Sequence, residues 1–251
     1  MAKYTLKQEE DAKEYLRKRL DNESSMRKDV YDLLSYYIPL LIALIMQNAT
    51  KEEIDALLED LIAELVEDCD TLAVDEHTDE SAAILAFIHG DVGGNTIDGR
   101  IRERVMTLFD EVSTIVAVGL ILGMAQSMIV SSVMGSLETP WKNKTLEEFR
   151  EKVAKGEIAL PEGLDIDERH YGKGVPVSSF VALTDITVYG VSAGWCVYDY
   201  LSHRDASGYY VFRGSSYPCE ECDSHTGYHP ATDTASLPLF HNHCKCYVVW
   251  V

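Results

Sequence analysis

Four of the chain's six cysteines and four of its eight histidines fall within "CEECDSHTGYHPATDTASLPLFHNHCKC", residues 219–246. Cys219 and Cys222 form C-x-x-C; His241, Cys244 and Cys246 form H-x-x-C-x-C. A two-ligand turn, a loop and a second short ligand group is the spacing that encloses tetrahedral Zn²⁺. Thiolate and imidazole are soft to borderline donors that suit zinc. The first choice of four ligands is Cys219, Cys222, His241 and Cys244. Cys246 can replace His241 or Cys244, and the spacing does not decide between them. His243 lies closer to the final cysteine pair than usual ligand spacing favours. Asp223 stands where a knuckle of this type often has glycine. The chemistry expected is structural: a closed four-ligand site supplies folding free energy that a small core cannot. A disulfide or a catalytic metal is the lesser alternative.

Other chemistry-bearing residues are weaker candidates. The adjacent letters His241-Asn242-His243 spell a nuclease motif, but that motif consists of residues scattered over a longer finger. There is no H-E-x-x-H, P-loop or G-x-S-x-G. His89 before Gly90 reads as a helix C-terminal residue, and His170 in "DERHYGKG" as a surface-loop residue. Cys69 and Cys196 read as small core residues on helices. Tyr209, Tyr210, Phe212 and Trp250 read as cross-strand packing.

The elements that must position this cluster follow from periodicity. Residues 6–135 read as helices. Pro39 is expected to kink or divide an apolar segment, and Thr50 with Glu53 makes a capping box. "HGDVGGNTIDG" reads as a loop. The run 112–137 has no charged residue and is long enough for a bilayer. A helix buried on all sides of a bundle is the preferred reading, because Asp110, Glu111 and Glu138 flank the run and it carries several Ser, Thr and Gln residues. Thr145 and Glu148 suggest a second capping box, for a helix ending near Gly156. A connector follows, then a long helix through "SSFVALTDITVYGVSAGWCVYDYLSHR" and strands at "YYVFR" and "CYVVWV". The fold class expected is α+β: a helical N-terminal region followed by a small C-terminal α/β module stapled by a structural zinc site. The divisions are a helical bundle over 1–140, a connector with a short helix over 141–177, and the zinc-bearing module over 178–251.

Bulk composition narrows the partners. The chain has 251 residues, 46% of them hydrophobic, and a formal net charge of −20. Such a balance disfavours direct nucleic-acid binding, which relies on Lys and Arg meeting phosphate. The first twenty residues carry charge and amphipathic spacing rather than a secretory leader, so a reducing cytosol is the expected place of synthesis, where clustered cysteines favour metal over disulfide.

The stretch from Ser178 to Val251 resembles the phage head-morphogenesis family, the Mu F-like minor head proteins. The family pattern is a helix with a threonine-acid pair, a strand, C-x-x-C, a glycine, a proline-rich approach and H-x-x-C-x-C. Here these are Thr184-Asp185, "YYVFR", Cys219 and Cys222, Gly227, "LPLFH", and His241, Cys244 and Cys246. Leu183, Asp185, Lys245 and Asn242 stand where the family more often has Arg, Glu, Arg and Pro. The resemblance implies a minor capsid protein with no established enzymatic reaction. It would be made in the host cytoplasm and placed in the virion, in the capsid interior or at the portal vertex. Its partners would be the portal and capsid proteins of the same virion; no membrane role is favoured, and a homo-oligomer is allowed. The rival expectations are a metal-dependent nuclease or injected effector, and an ejection protein that meets a membrane through 112–137.

Overall fold

The computed structural model describes residues 3–75, 77–91, 94–164, 166 and 177–251. His170 lies outside the described residues. Helices dominate the first two hundred positions: α1 (Leu6–Met46), α2 (Lys51–Val74), α3 (Ser81–Ile88), α4 (Ile97–Ile121), α5 (Gln126–Met134), α6 (Lys144–Ala154) and α7 (Ser179–Ser202). The remainder holds β1 (Gly208–Phe212), the short α8 (Glu220–Ser224), β2 (Gly227–Pro230) and β3 (Tyr247–Trp250). The expected α+β class is therefore observed: a helical N-terminal region and a small C-terminal strand module.

Contacts divide the chain into two compact units, each assembled from separated stretches. One comprises residues 1–27, 67–97 and 185–251; the other comprises 28–66 and 98–184. The second unit is wholly helical among the described residues and buries Val30, Leu34 and Ile38 of α1, Leu58, Leu61 and Leu65 of α2, and Ile101, Val105 and Val116 of α4. Pro39 does not divide α1, which runs through it. Tyr37, Ile38, Leu41 and Ile42 on either side of the proline are all buried. Packing of that apolar face outweighs the single backbone bond proline removes.

Two further expectations in this unit are corrected. The uncharged run 112–137 is not one buried helix. α4 stops at Ile121, Gly123 takes a φ of +72° in the turn, and α5 restarts at Gln126. Left-handed backbone at Gly123 costs glycine little and ends the helix. Leu120, Ile121 and Met128 are exposed. By length and composition alone the helices that could cross a membrane are instead α1 and α7, both partly buried inside the protein. The start of α6 is capped by Asn143, not by a Thr145–Glu148 box. Its side-chain oxygen accepts from the backbone N–H of Thr145 (2.9 Å) and of Leu146 (3.2 Å). Its amide nitrogen donates to the Ser132 carbonyl (2.9 Å) and Ser136 Oγ (2.8 Å). The Thr50–Glu53 box does form: Thr50 N–H donates to Glu53 Oε2 at 2.8 Å, and Glu53 N–H to Thr50 Oγ1 at 3.3 Å.

The first unit carries the strand module. β1 is the central strand of a three-stranded antiparallel sheet of order β2-β1-β3. Tyr209 lies opposite Trp250 on β3 and His229 on β2. Their rings pack at 5.2 and 5.4 Å, which is the cross-strand role expected of these aromatics. β2 and α8 had no counterpart in the sequence expectations. α7 approaches α2 closely through its glycines: a Cβ on Gly190 would stand 2.7 Å from Cys69 Sγ, and one on Gly194 would stand 2.8 Å from the Ala73 carbonyl oxygen. Cys69 is a buried core residue, as expected. His89 is the C-cap of α3 and pairs with Asp70 at 2.8 Å.

Candidate metal centre

Cys219 is the N-cap of α8, and its Sγ accepts from the Cys222 N–H at 3.5 Å. This turn sets both sulfurs of the C-x-x-C toward one point. Asp223 fits here because the chain enters a short helix rather than a glycine turn. Its carboxylate pairs with Arg213, which also donates to the Tyr217 carbonyl and so ties the loop after β1 to α8. On the other side, Cys244 N–H donates to the His241 carbonyl at 3.1 Å, a tight turn in which His243 takes a φ of +62°.

The two arms meet. Cys219, Cys222 and His241 place their ligand atoms within 4.8 Å of one another, and so do Cys222, Cys244 and Cys246. Cys222 belongs to both groups, so the five expected ligands form two triads joined at its sulfur. His241 Nε2 lies 3.2 Å from Cys219 Sγ and 3.0 Å from Cys222 Sγ, and Cys222 Sγ lies 4.0 Å from Cys244 Sγ. Bonds of about 2.3 Å to sulfur and about 2.0 Å to nitrogen put tetrahedral ligand atoms roughly 3.5–3.8 Å apart, so the donor set fits a divalent ion of zinc's size. All six cysteines of the chain are free thiols.

Hydrogen bonding sorts the histidines. His241 Nδ1 lies 2.6 Å from the Asn242 carbonyl oxygen, so Nδ1 carries the hydrogen and the Nε2 lone pair faces the sulfurs. His243 is spent elsewhere. Arg27 can only donate, so His243 Nδ1 accepts from it at 3.1 Å, and Nε2–H donates to Asp185 Oδ1 at 3.1 Å. His229 bonds Asp233 and the His225 carbonyl, and His225 stacks on Phe240 at 4.2 Å.

The thiols differ in proton affinity. The Cys222 N–H aimed at its sulfur lowers Cys219. The hydrogen bond from Cys246 lowers Cys244 to about 5, and the same bond, with burial, pushes Cys246 far above the ordinary thiol range. Burial raises Cys222 to about 12. The bond to the Asn242 carbonyl raises His241. Without an ion Cys244 is the thiol that loses its proton most readily, and Cys222 and Cys246 hold theirs more tightly. A divalent cation would displace such protons.

Sequence reasoning missed the support beneath the site. Arg19 of α1 is buried, and its guanidinium donates to the Cys244 carbonyl (3.0 Å), the Cys246 carbonyl (3.4 Å) and Cys196 Sγ (3.1 Å). Its Nε lies 3.5 Å from Glu23, also buried, which accepts from the Ser192 hydroxyl. Arg19 and Glu23 sit at i, i+4 between Leu16 and Met26, so the one available signal was a charge pair on an apolar helix face. No family model, curated protein or solved structure matches this chain.

Proposed function

We propose that this chain is a structural interaction protein of a tailed-phage head, a minor capsid component near the portal vertex whose C-terminal module is fixed by a structural zinc ion. The proposed ligands are Cys219, Cys222, His241 and Cys244, with the Cys246 S–H hydrogen-bonded to the Cys244 sulfur beside them. The carrying observation is two triads of soft donors, Cys219/Cys222/His241 and Cys222/Cys244/Cys246, joined at the Cys222 sulfur. A donor set that outnumbers four tetrahedral positions favours a closed structural site over a catalytic one, which keeps a position for water. The virion reading is supported by the place of the threonine-acid pair: Asp185 of α7 contacts His243, which lies between the ligand candidates His241 and Cys244. The charge of −20 suits a surface that packaged DNA slides past without adhering.

The metal would lock the last segment in one geometry, so that it binds portal or shell in a single register. The test has two parts. Metal analysis of protein purified under reducing conditions is expected to give one zinc per chain. Copurification with the portal protein of the same virion is expected to fail for Cys219→Ser and for Cys244→Ser. Stoichiometric metal with full portal binding by both variants overturns the interaction role; no metal in folded protein overturns the zinc assignment.

A further inference from the structure

A second cavity borders Cys246 and is lined by none of the four proposed zinc ligands. This cavity, of about 360 Å³, is bounded by Ala12, Tyr15 and Arg19 of α1, His203 after α7, Pro238, and Trp250 of β3. That volume falls in the range of small-molecule sites, roughly 300–1,000 Å³. Among the described residues three buried side-chain polar atoms have no hydrogen-bond partner, and two of them, Arg19 Nε and Trp250 Nε1, belong to residues lining this cavity. Arg19 Nε is within ion-pair range of Glu23 but makes no hydrogen bond to it. Both orphans are N–H donors. Buried donors left unpaired are costly, so such a pair marks a place where an acceptor belongs.

Two of the other polar groups are engaged. Tyr15 Oη donates to the Trp195 carbonyl at 2.8 Å, and His203 Nδ1 lies 2.8 Å from the Asp199 carbonyl oxygen. The His203 ring stacks on Trp250 at 5.3 Å with planes 6° apart, which holds the indole in place. Leu16, Leu237, Pro238 and Val248 supply apolar wall. Asp11 lines the cavity too, but it is exposed and pairs with Lys7.

We propose that this cavity is a binding site for a small molecule that presents a carbonyl or carboxylate oxygen on an apolar body, the oxygen accepting from Trp250 Nε1–H and Arg19 Nε–H. The two donors are visible as separate cross-peaks in a ¹H–¹⁵N spectrum of the zinc-loaded full chain, with Trp250→Phe assigning the indole signal. The probes are benzamide for a neutral acceptor, benzoate for an anionic one, and toluene as the ring without oxygen. Benzamide or benzoate is expected to bind saturably in the millimolar range, shifting both N–H signals downfield, and toluene to leave them unshifted. Which of the two binds more tightly distinguishes the neutral from the anionic ligand. Trp250→Phe should weaken the acceptor probe about fivefold, the loss of one buried hydrogen bond, and leave toluene unchanged. Ala12→Leu, which narrows the cavity, should abolish binding while zinc content stays at one per chain. No saturable shift with either acceptor probe, equal response to toluene, or unaltered binding by Ala12→Leu overturns the site and leaves ordered water as its occupant.

Discussion

Replacing Arg19 with methionine tests whether the candidate metal centre depends on support from α1. The change removes two bonds to the carbonyls of Cys244 and Cys246 and one to Cys196 Sγ. It also leaves Glu23, 6% exposed, with no cation and only the Ser192 hydroxyl. Breaking a buried ion pair by deleting one partner costs about 3–5 kcal/mol. Against a whole-domain stability of about 5–15 kcal/mol, that is enough to reveal itself at once. The charge component separates from the hydrogen-bond component in the double variant Arg19→Met/Glu23→Gln. Glutamine still accepts from Ser192, so only the stranded charge is removed, and about 2–3 kcal/mol should return. The residual loss, about 1–2 kcal/mol, belongs to the ligand-strand carbonyls.

Urea unfolding gives the stability change as a shift in midpoint at constant slope. Chelator-driven release, followed in the same samples, reads the local effect: the ion should leave both variants faster than the parent chain. A single-variant cost below about 1 kcal/mol, or a double variant no more stable than the single, would refute the reasoning. Unchanged metal release would show that the carbonyl bonds do not hold the ligand strand.

Cys244→Ser should abolish stoichiometric metal binding, whereas Cys246→Ser should retain it with weaker affinity; equal loss in both would move Cys246 into the ligand set. Asn143→Ala should cost about 2 kcal/mol in thermal or urea unfolding, since it strips the α6 cap and a buried donor. Glu148→Ala, at the position of the sequence-expected box, should stay within about 0.5 kcal/mol. Gly194→Ala should destabilise by about 1–2 kcal/mol despite better helix propensity, because its Cβ meets the Ala73 backbone oxygen at 2.8 Å. The His203 pKa is raised by its hydrogen bond to the Asp199 side chain, with burial opposing. Its stabilising effect is therefore complete below about pH 6.5, the unfolded value, and is lost as pH rises through the higher folded value. Asp199→Asn should lower the His203 midpoint in an NMR titration and remove that pH dependence.

The helices and the ligand residues were legible because their signals are local. Ile54, Leu57, Leu61 and Leu65 repeat at helical spacing, and C-x-x-C with H-x-x-C-x-C is a short-range pattern. What failed was decided by position in three dimensions. Periodicity ran unbroken through Leu122–Ala125, and only the left-handed turn at Gly123 splits the helix. Thr145 and Glu148 satisfy the box spacing, but Asn143 reaches Ser132 and Ser136 as well as the cap N–H groups, and those added bonds favour a start two residues earlier. β2 escaped notice because "GYHP" is four residues ending in proline, an edge-strand composition with little period to read. Arg19 looked like any solvated charge in "LRKRLDNE"; its burial follows from contacts to residues more than 170 positions away.

Candidate ligands and core are one structure in this module. Three of the thiols, Cys222, Cys244 and Cys246, are buried in the same apolar cluster as Tyr209, Val211, Val248 and Trp250. The sheet beneath them has strands of only five, four and four residues, too short to hold a unique geometry through pairing alone. An ion would therefore do more than fill a site: it would bind sulfurs, Cys244 the most readily deprotonated among them, inside the apolar cluster that spans β1 and β3. Arg19, reaching the carbonyls on both sides of Lys245, sets positive charge beneath these sulfurs. In a chain with 42 acidic and 22 basic side chains, placing a scarce cation in the interior makes physical sense where negative charge must be buried. A cluster of three thiolates and an imidazole around a divalent ion still carries one net negative charge. The buried guanidinium and a bound cation would thus be complementary parts of the same electrostatic solution, and neither is expected to be dispensable alone.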